Sequence, residues 1–246
     1  MTRFSAARAA TACIVQARMG SSRLPGKVLM RLGGETVLSH VLRRCAAIPG
    51  VDVVVCATVD ESGCDAVAEE AERVGAVVFR GDETDVLSRH LGAARRVEAG
   101  VVMRVTSDCP LIDPGLCGAV LWAREESGAD YAANNVTHGW PHGLDAECCT
   151  RAALELCASR ATDAFDREHV TPWLRRDPNV KREQVDGPGG EPAGWRWTLD
   201  WPEDLAFLQA LAEQLDLAAL PDWTEVASVV RAHPELAAIN AGRAAR

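Results

Sequence analysis

The stretch 14–29 reads IVQARMGSSRLPGKVL, an apolar run that passes directly into a loop of small and cationic residues. Residues 13–17 read as a β-strand, and in open α/β sheets ligands lie outside the carboxyl ends of the strands, so chemistry is expected in the turn that follows. Beyond Ala17, Gly20 lets the backbone approach a ligand and Ser21 and Ser22 add small donors, while Arg18, Arg23 and Lys27 bring three cations. Such a set suits a triphosphate. Five residues separate Gly20 from Gly26 and Val28 follows Lys27, so this is not a GxxxxGK[ST] loop, and no GxGxxG is present for a dinucleotide. A merely solvated basic turn is the alternative; the concentration of cations directly after an apolar strand, in an acidic chain, favours the oligophosphate.

Outward from this loop, short apolar runs bounded by Gly or Asp alternate with longer amphipathic stretches, the pattern of a parallel sheet covered by helices. Strands are expected at 13–17, 51–58, 76–79 and 101–106, and helices at 36–47, 62–74 and 85–98. The fold class is therefore α/β, a doubly wound and mostly parallel sheet. After Asp113-Pro114, which reads as a helix start, the pattern loosens. Short strands are expected near 129–133 and 143–149, helices at 151–159 and 163–175, a Gly/Pro turn at 186–194 and a strand-like WRWTL at 195–199. Helices at 202–215 and 223–232 close the chain. No repeat or linker interrupts 1–246, which reads as one domain with a loose leader at 1–12 and a fraying tail at 233–246.

Composition narrows the partners. With 48% hydrophobic residues the 246-residue chain can bury a core, and its net charge of -9 argues against coating nucleic acid or an anionic membrane. Nine cysteines without a CxxC pair sit in apolar runs and read as small hydrophobes in a reducing cytoplasm. Cys148 and Cys149 are adjacent, which suits shared zinc poorly. Neither a secretory h-region nor an apolar run of about 18 residues is found, so no signal and no membrane span are expected.

IVQARMGSSRLPGKVL is followed in order by VFRGDETDVLSR (78–89), VTSDCPLID (105–113), HGLDAE (142–147), REHVTPWLR (167–175) and LDWPEDL (199–205). This series resembles the SpsF-type cytidylyltransferases of surface-polysaccharide pathways, which are similar in turn to the CMP-sialate and CMP-ketodeoxyoctonate synthetases. The resemblance spans about residues 13–210 and implies a GT-A-like fold, magnesium dependence, CTP as nucleotide donor, activation of an acidic sugar or related small molecule, and a homodimer. Two positions depart from the pattern: Trp201 stands where relatives commonly have a small residue, and His142 where they often have an acid.

Asp108 follows a buried strand and should project beside the phosphate loop, and Asp200 ends the WRWTLD run. Magnesium prefers one or two carboxylates plus phosphate oxygens and waters, and the resemblance puts the metal on these two acids. Each has a plainer role open to it, Asp108 capping a turn before Pro110 and Asp200 capping a helix that begins with Pro202. By resemblance Arg80, Asp85, Arg89 and Thr106 border base and ribose; an exposed Asp85–Arg89 helix pair is the alternative. Residues 134–175 should close over the acceptor or form the dimer contact. There HGLDAE as a strand puts Asp145 and Glu147 on one face, and one helical turn gathers Arg167, Glu168 and His169. The implied reaction is attack of an acceptor hydroxyl on the α-phosphate of CTP, with Arg18, Lys27 and magnesium on Asp108 supplying charge. Two rivals remain at this stage. A GT-A glycosyltransferase would usually show two acids in a DxD where Ser107-Asp108-Cys109 offers one, and a non-catalytic nucleotide-binding protein would not need the acids and lysine intact.

Overall fold

The computed structural model describes residues 9–243. Its strands are β1 (Thr11–Gln16), β2 (Arg31–Leu32), β3 (Glu35–Thr36), β4 (Val53–Val59), β5 (Val77–Gly81), β6 (Val101–Thr106), β7 (Tyr131–Ala133), β8 (Glu147–Thr150) and β9 (Arg182–Gln184). The helices are α1 (Val37–Ala46), α2 (Asp65–Arg73), α3 (Val86–Arg96), α4 (Pro114–Ser127), α5 (Arg151–Arg160), α6 (Ala164–His169), α7 (Pro172–Arg176), α8 (Pro202–Gln214), α9 (Trp223–Ala232) and α10 (Pro234–Asn240). Among the described residues the main sheet runs β5-β4-β1-β6-β8-β7-β9, and β2 and β3 pair as a separate hairpin. Strands β5, β4, β1 and β6 pair in parallel, while β8 pairs antiparallel with both neighbours. This is the doubly wound, mostly parallel sheet expected of the sequence. The chain leaves β1 toward β4 on one side and reaches β6 on the other, so the crevice for ligands opens at the carboxyl ends of β1 and β6.

Burial on both faces explains why the central strands read as continuous apolar runs. In β1, Cys13 and Val15 face a core shared with α1, α2 and α4, while Ala12 and Ile14 face a second core under α3 and α5. A third core gathers α8, α9 and α10 around Trp197 and Phe207. The nine cysteines are free and buried, and burial pushes the Cys56 and Cys148 thiols up to about 12. Among the described residues no helix is long and apolar enough to cross a membrane.

Several expectations are corrected. The helix expected at 163–175 is two, α6 and α7, because Val170 takes φ 72 and Pro172 cannot continue the preceding turn. Among the described residues WRWTL joins no sheet strand, and it is tied by the His142 to Arg196 bridge. Residues 143–146 precede β8 rather than belonging to it, and β9 was not anticipated. Thr11 and Ala12, read as leader, are in β1, whereas residues 1–8 lie outside the described residues. The supposed tail contains α10, with Leu236 and Asn240 buried.

His90 in α3 is fully buried, its Nδ1 2.9 Å from the Val86 carbonyl. Burial, aided by the charge of Arg104, drops its pKa to about 3. A folded pKa below the unfolded value means that the neutral ring contributes fully above about 6.5 and that this contribution is lost as pH falls toward 3. Acidification from pH 7 to 5 should thus lower the unfolding free energy by about 2 kcal/mol through this group. Urea unfolding of His90→Gln should show a flatter pH slope over that interval; an unchanged slope would assign the loss elsewhere.

Candidate active site

Gln16 lies in register with Thr106, so the loop after β1 and the turn after β6 leave the sheet side by side. Gly26 takes φ 70, which lets its N–H donate to the Met19 carbonyl at 3.1 Å and folds the loop back on itself. Gly20 has no such strain; it sits open to the cleft, with Glu83 the nearest side chain. The refolding of the chain at Gly26 sends Lys27 inward. Its Nζ donates to Asp108 Oδ2 at 2.8 Å, Asp200 Oδ1 at 3.0 Å and the Leu199 carbonyl at 2.7 Å. Arg23 donates to the same Asp200 oxygen at 2.6 Å.

The Lys27 side chain is only 12% exposed. Burial works against its charge, but Asp108 and Asp200 together outweigh that and lift its pKa above the ordinary ammonium value. Burial likewise opposes both carboxylates, yet Lys27 holds each below the usual range, helped by Thr106 at Asp108 and by Arg196 at Asp200. The cluster is therefore fully ionised near neutral pH.

Asp200 does not cap the helix that follows it. Asp204 does, its Oδ2 accepting the N–H groups of Asp200 and Trp201, each at 2.9 Å. That arrangement leaves the Asp200 carboxylate to the cleft, braced by Arg196 Nη2 at 2.8 Å. Asp108 and Asp200 thus converge on one cation. Such a pair of carboxylates fits a magnesium ion that completes its shell with phosphate oxygens and water, and it lacks the donors for a protein-only metal cage. Among the described residues no group of three or more His, Cys, Asp or Glu could hold a metal.

A cavity of about 970 Å³ opens over this cluster. Ala17, Arg18, Gly20, Ser21, Ser22, Arg23 and Lys27 line it, together with Thr106 beside them at the end of β6 and Asp85 and Arg89 at the start of α3. Arg167, Glu168 and His169 of α6 close one side. A side chamber of about 300 Å³ shares Arg23, Thr106, Asp108, His169, Asp200 and Trp201 with it and adds Cys109, His142, Asp145, Arg196 and Thr198. Gly143 makes the chamber wall possible. At φ 113, a Cβ there would lie 2.6 Å from the Thr198 nitrogen, so only glycine lets 142–143 lie against 197–198.

Two expected residues are not brought to either cavity. Arg80 bonds Asp65 at 2.7 Å, at the start of α2. Glu147 is 2% exposed and buried among Arg104, Arg175, Tyr131 and Thr171, at 2.5 to 2.6 Å. Asp145 and Glu147 would share a face only if 143–147 were one strand; because β8 starts at Glu147, Asp145 turns to the chamber and Glu147 inward. Asp85 caps α3 at Ser88 N and pairs with Arg167, not with Arg89. Arg167 is also committed to the carbonyls of Ala158 and Ala161. Arg89, nearly buried, spends its guanidinium on the Asp82 and Glu83 carbonyls. Sequence reasoning missed Arg196 and Thr198; an arginine inside the apolar WRWTL run was the available sign.

The sequence pattern of the cytidylyltransferase family matches residues 12–220. The spore coat polysaccharide biosynthesis protein SpsF of Bacillus subtilis is 32% identical over 231 residues, which cover 91% of this chain and 95% of that protein. A cytidylyltransferase structure from Leptospira borgpetersenii serovar Hardjo-bovis superposes with a TM-score of 0.86 at 28% identity, covering 94% of this chain and 97% of that one. A CMP:2-keto-3-deoxy-manno-octonic acid synthetase, solved with CTP, shares the fold at TM-score 0.62 and 19% identity over 84% of this chain and 99% of the other. Joined to a loop lysine clamped between two acids at the switch point of the sheet, these likenesses show that the chain belongs to the cytidylyltransferase family and is a nucleotidyltransferase.

Proposed function

We propose that this enzyme transfers CMP from CTP to a hydroxyl of a small acidic acceptor, an acidic sugar or a related molecule, with magnesium and with release of pyrophosphate. The observation that carries the proposal is the Lys27 ammonium between Asp108 and Asp200, in a cleft that Arg18, Arg23 and Arg89 also line. Transfer of a phosphoryl group needs neutralised charge and in-line placement more than covalent help. Lys27 keeps its proton through neutral pH and presents a fixed positive charge to the phosphates. Arg18 pairs with Glu83 at 3.2 Å, both side chains 45% exposed, so trading that partner for a phosphate costs little. Asp108 and Asp200 would hold magnesium, which when bound supplies further neutralisation of the triphosphate and of the departing pyrophosphate.

The acceptor is assigned to the side chamber, where His142 and Asp145 face the two acids and His169 borders both cavities. Arg196 donates to His142 Nδ1 at 3.1 Å, and since arginine cannot accept, that nitrogen carries the lone pair and Nε2 carries the proton. His142 Nε2 and the Asp145 carboxylate therefore offer a donor and an acceptor to an acceptor's hydroxyls. A homodimer in the cytoplasm completes the proposal.

Incubation with each of the four nucleoside triphosphates, magnesium and a panel of 2-keto sugar acids tests it. Pyrophosphate should appear with CTP and one acceptor, and CTP should raise the melting temperature because it binds only the folded state. Binding of CTP without release across the panel would turn the reading toward a nucleotide sensor, and transfer from a nucleotide-sugar donor would turn it toward a glycosyltransferase.

A further inference from the structure

We infer that the C-terminal helix α10 is a working part of the active site and that Asn240 is a positioning residue for the Arg196–Asp200 pair. The helix lies beyond residues 12–220 that match the family pattern. Its functional consequence rests on the CTP reading above. Asn240 is 3% exposed, and its amide nitrogen donates to the Arg196 carbonyl at 2.9 Å and to Asp204 Oδ1 at 3.0 Å. Asp204 is fully buried and receives Arg196 twice, Nε on Oδ1 at 2.9 Å and Nη2 on Oδ2 at 3.0 Å. Arg196 Nη2 in turn holds Asp200 Oδ2, which leaves Asp200 Oδ1 for Lys27 and Arg23.

One side chain on α10 thus fixes both the backbone of Arg196 and the carboxylate that aims its guanidinium. In a buried network, removing one donor strands its acceptors and loosens the groups they held. A second contact from the same segment reaches the cleft independently. Arg243 lies over the Trp201 ring at 4.4 Å and bonds Glu203 at 2.6 Å, while Arg23 lies over the same ring at 5.2 Å. Trp201 lines both cavities. α10, through Asn240, and the residues just after it, through Arg243, therefore act on the orientation of Asp200 and Trp201 from outside both cavities.

The rival account is that α10 only covers the third core, through Leu236. Asn240→Leu and Leu236→Ala separate the two, since the first removes the donors and the second only apolar contact. Without ligand, hydrogen exchange at Arg196 Nε–H, followed by nitrogen-15 NMR, should accelerate at least about tenfold in Asn240→Leu and stay near wild type in Leu236→Ala. With ligand, the ratio of CTP affinities measured with magnesium and with a chelator should fall about tenfold in Asn240→Leu, with chelator-only affinity unchanged. Leu236→Ala should lower the melting temperature and leave that ratio intact. If the leucine variant does not fold, Asn240→Ser, which keeps one donor in less volume, should show the same separation with about a threefold effect.

Slow Arg196 exchange and an unchanged affinity ratio in both Asn240 variants would overturn the inference. A wild-type protein that binds no CTP would refute the nucleotide reading, and the exchange measurement would still decide whether Asn240 positions Arg196.

Discussion

Lys27→Ala is expected to lower pyrophosphate release from CTP by about 10² to 10³ while leaving the protein folded. The side chain is only 12% exposed but its ammonium ends at the cleft, so truncation removes the charge together with some packing and should lower the melting temperature without unfolding the protein. Its loss leaves Asp108 and Asp200 facing each other without the ammonium that spans them. Arg23 and Arg196 still hold Asp200, so the larger change falls on Asp108, whose pKa should rise from its depressed value. The acid limb of the residual activity should accordingly move to higher pH.

The native cluster has the opposite signature. Both acids are depressed below 3.8 and Lys27 is raised above 10.5, so their contribution to stability is complete between those values. It falls away only as pH drops through the folded acid values or rises through the folded lysine value. Lys27→Arg keeps the charge but exchanges a point ammonium for a planar fork, and should recover only part of the rate. Steady-state kinetics and circular dichroism on the same preparations provide the check; near wild-type turnover in Lys27→Ala would sink the proposed role.

Glu147→Ala should damage stability rather than chemistry. The buried carboxylate binds Arg104 and Arg175 and accepts from Tyr131 and Thr171, so its removal leaves two guanidinium groups and two hydroxyls without their partner. Breaking a buried ion cluster from one side costs about 3–5 kcal/mol. Burial alone would raise the Glu147 pKa, but the two arginines and the hydroxyls overcome it and bring it down to about 2 from an ordinary 4.5. A depressed acid contributes fully above the unfolded value, and that contribution is lost as pH falls from about 4.5 through 2, an interval worth about 3 kcal/mol. Denaturant unfolding between pH 7 and 3 should show this acid limb in the wild type and lose it in Glu147→Ala. Wild-type stability combined with a raised acceptor KM would instead return Glu147 to the acceptor site.

How much was legible follows from where the information lies. Strands β1, β4 and β6 were readable because burial on both faces leaves mostly apolar runs, and β5, only half-buried, showed as the short apolar run before Arg80; α1 and α3 were readable from apolar residues at three-to-four spacing, and α4 from Asp113-Pro114. Thr36 was inside the expected helix by one residue, a boundary shift only. The second half was less readable: β7, β8 and β9 are three or four residues long, too short for a period, and Pro172 splits a helix whose apolar pattern runs on.

By itself the sequence determined that a loop of small and cationic residues follows β1, that Asp108 follows β6 and that cysteines serve as core, since loop composition and burial periodicity are local properties. The tertiary structure alone determined the partners of the charged groups. Glu147 went to two arginines instead of a substrate, Asp204 took the helix cap and freed Asp200, and a supposed tail became the helix that holds Arg196. A charged side chain is equally plausible from sequence as a ligand or as half of a buried pair. Which it becomes depends on contacts across 36 to 44 positions of sequence for Asn240 and on 173 for Lys27 and Asp200, and no local pattern encodes them.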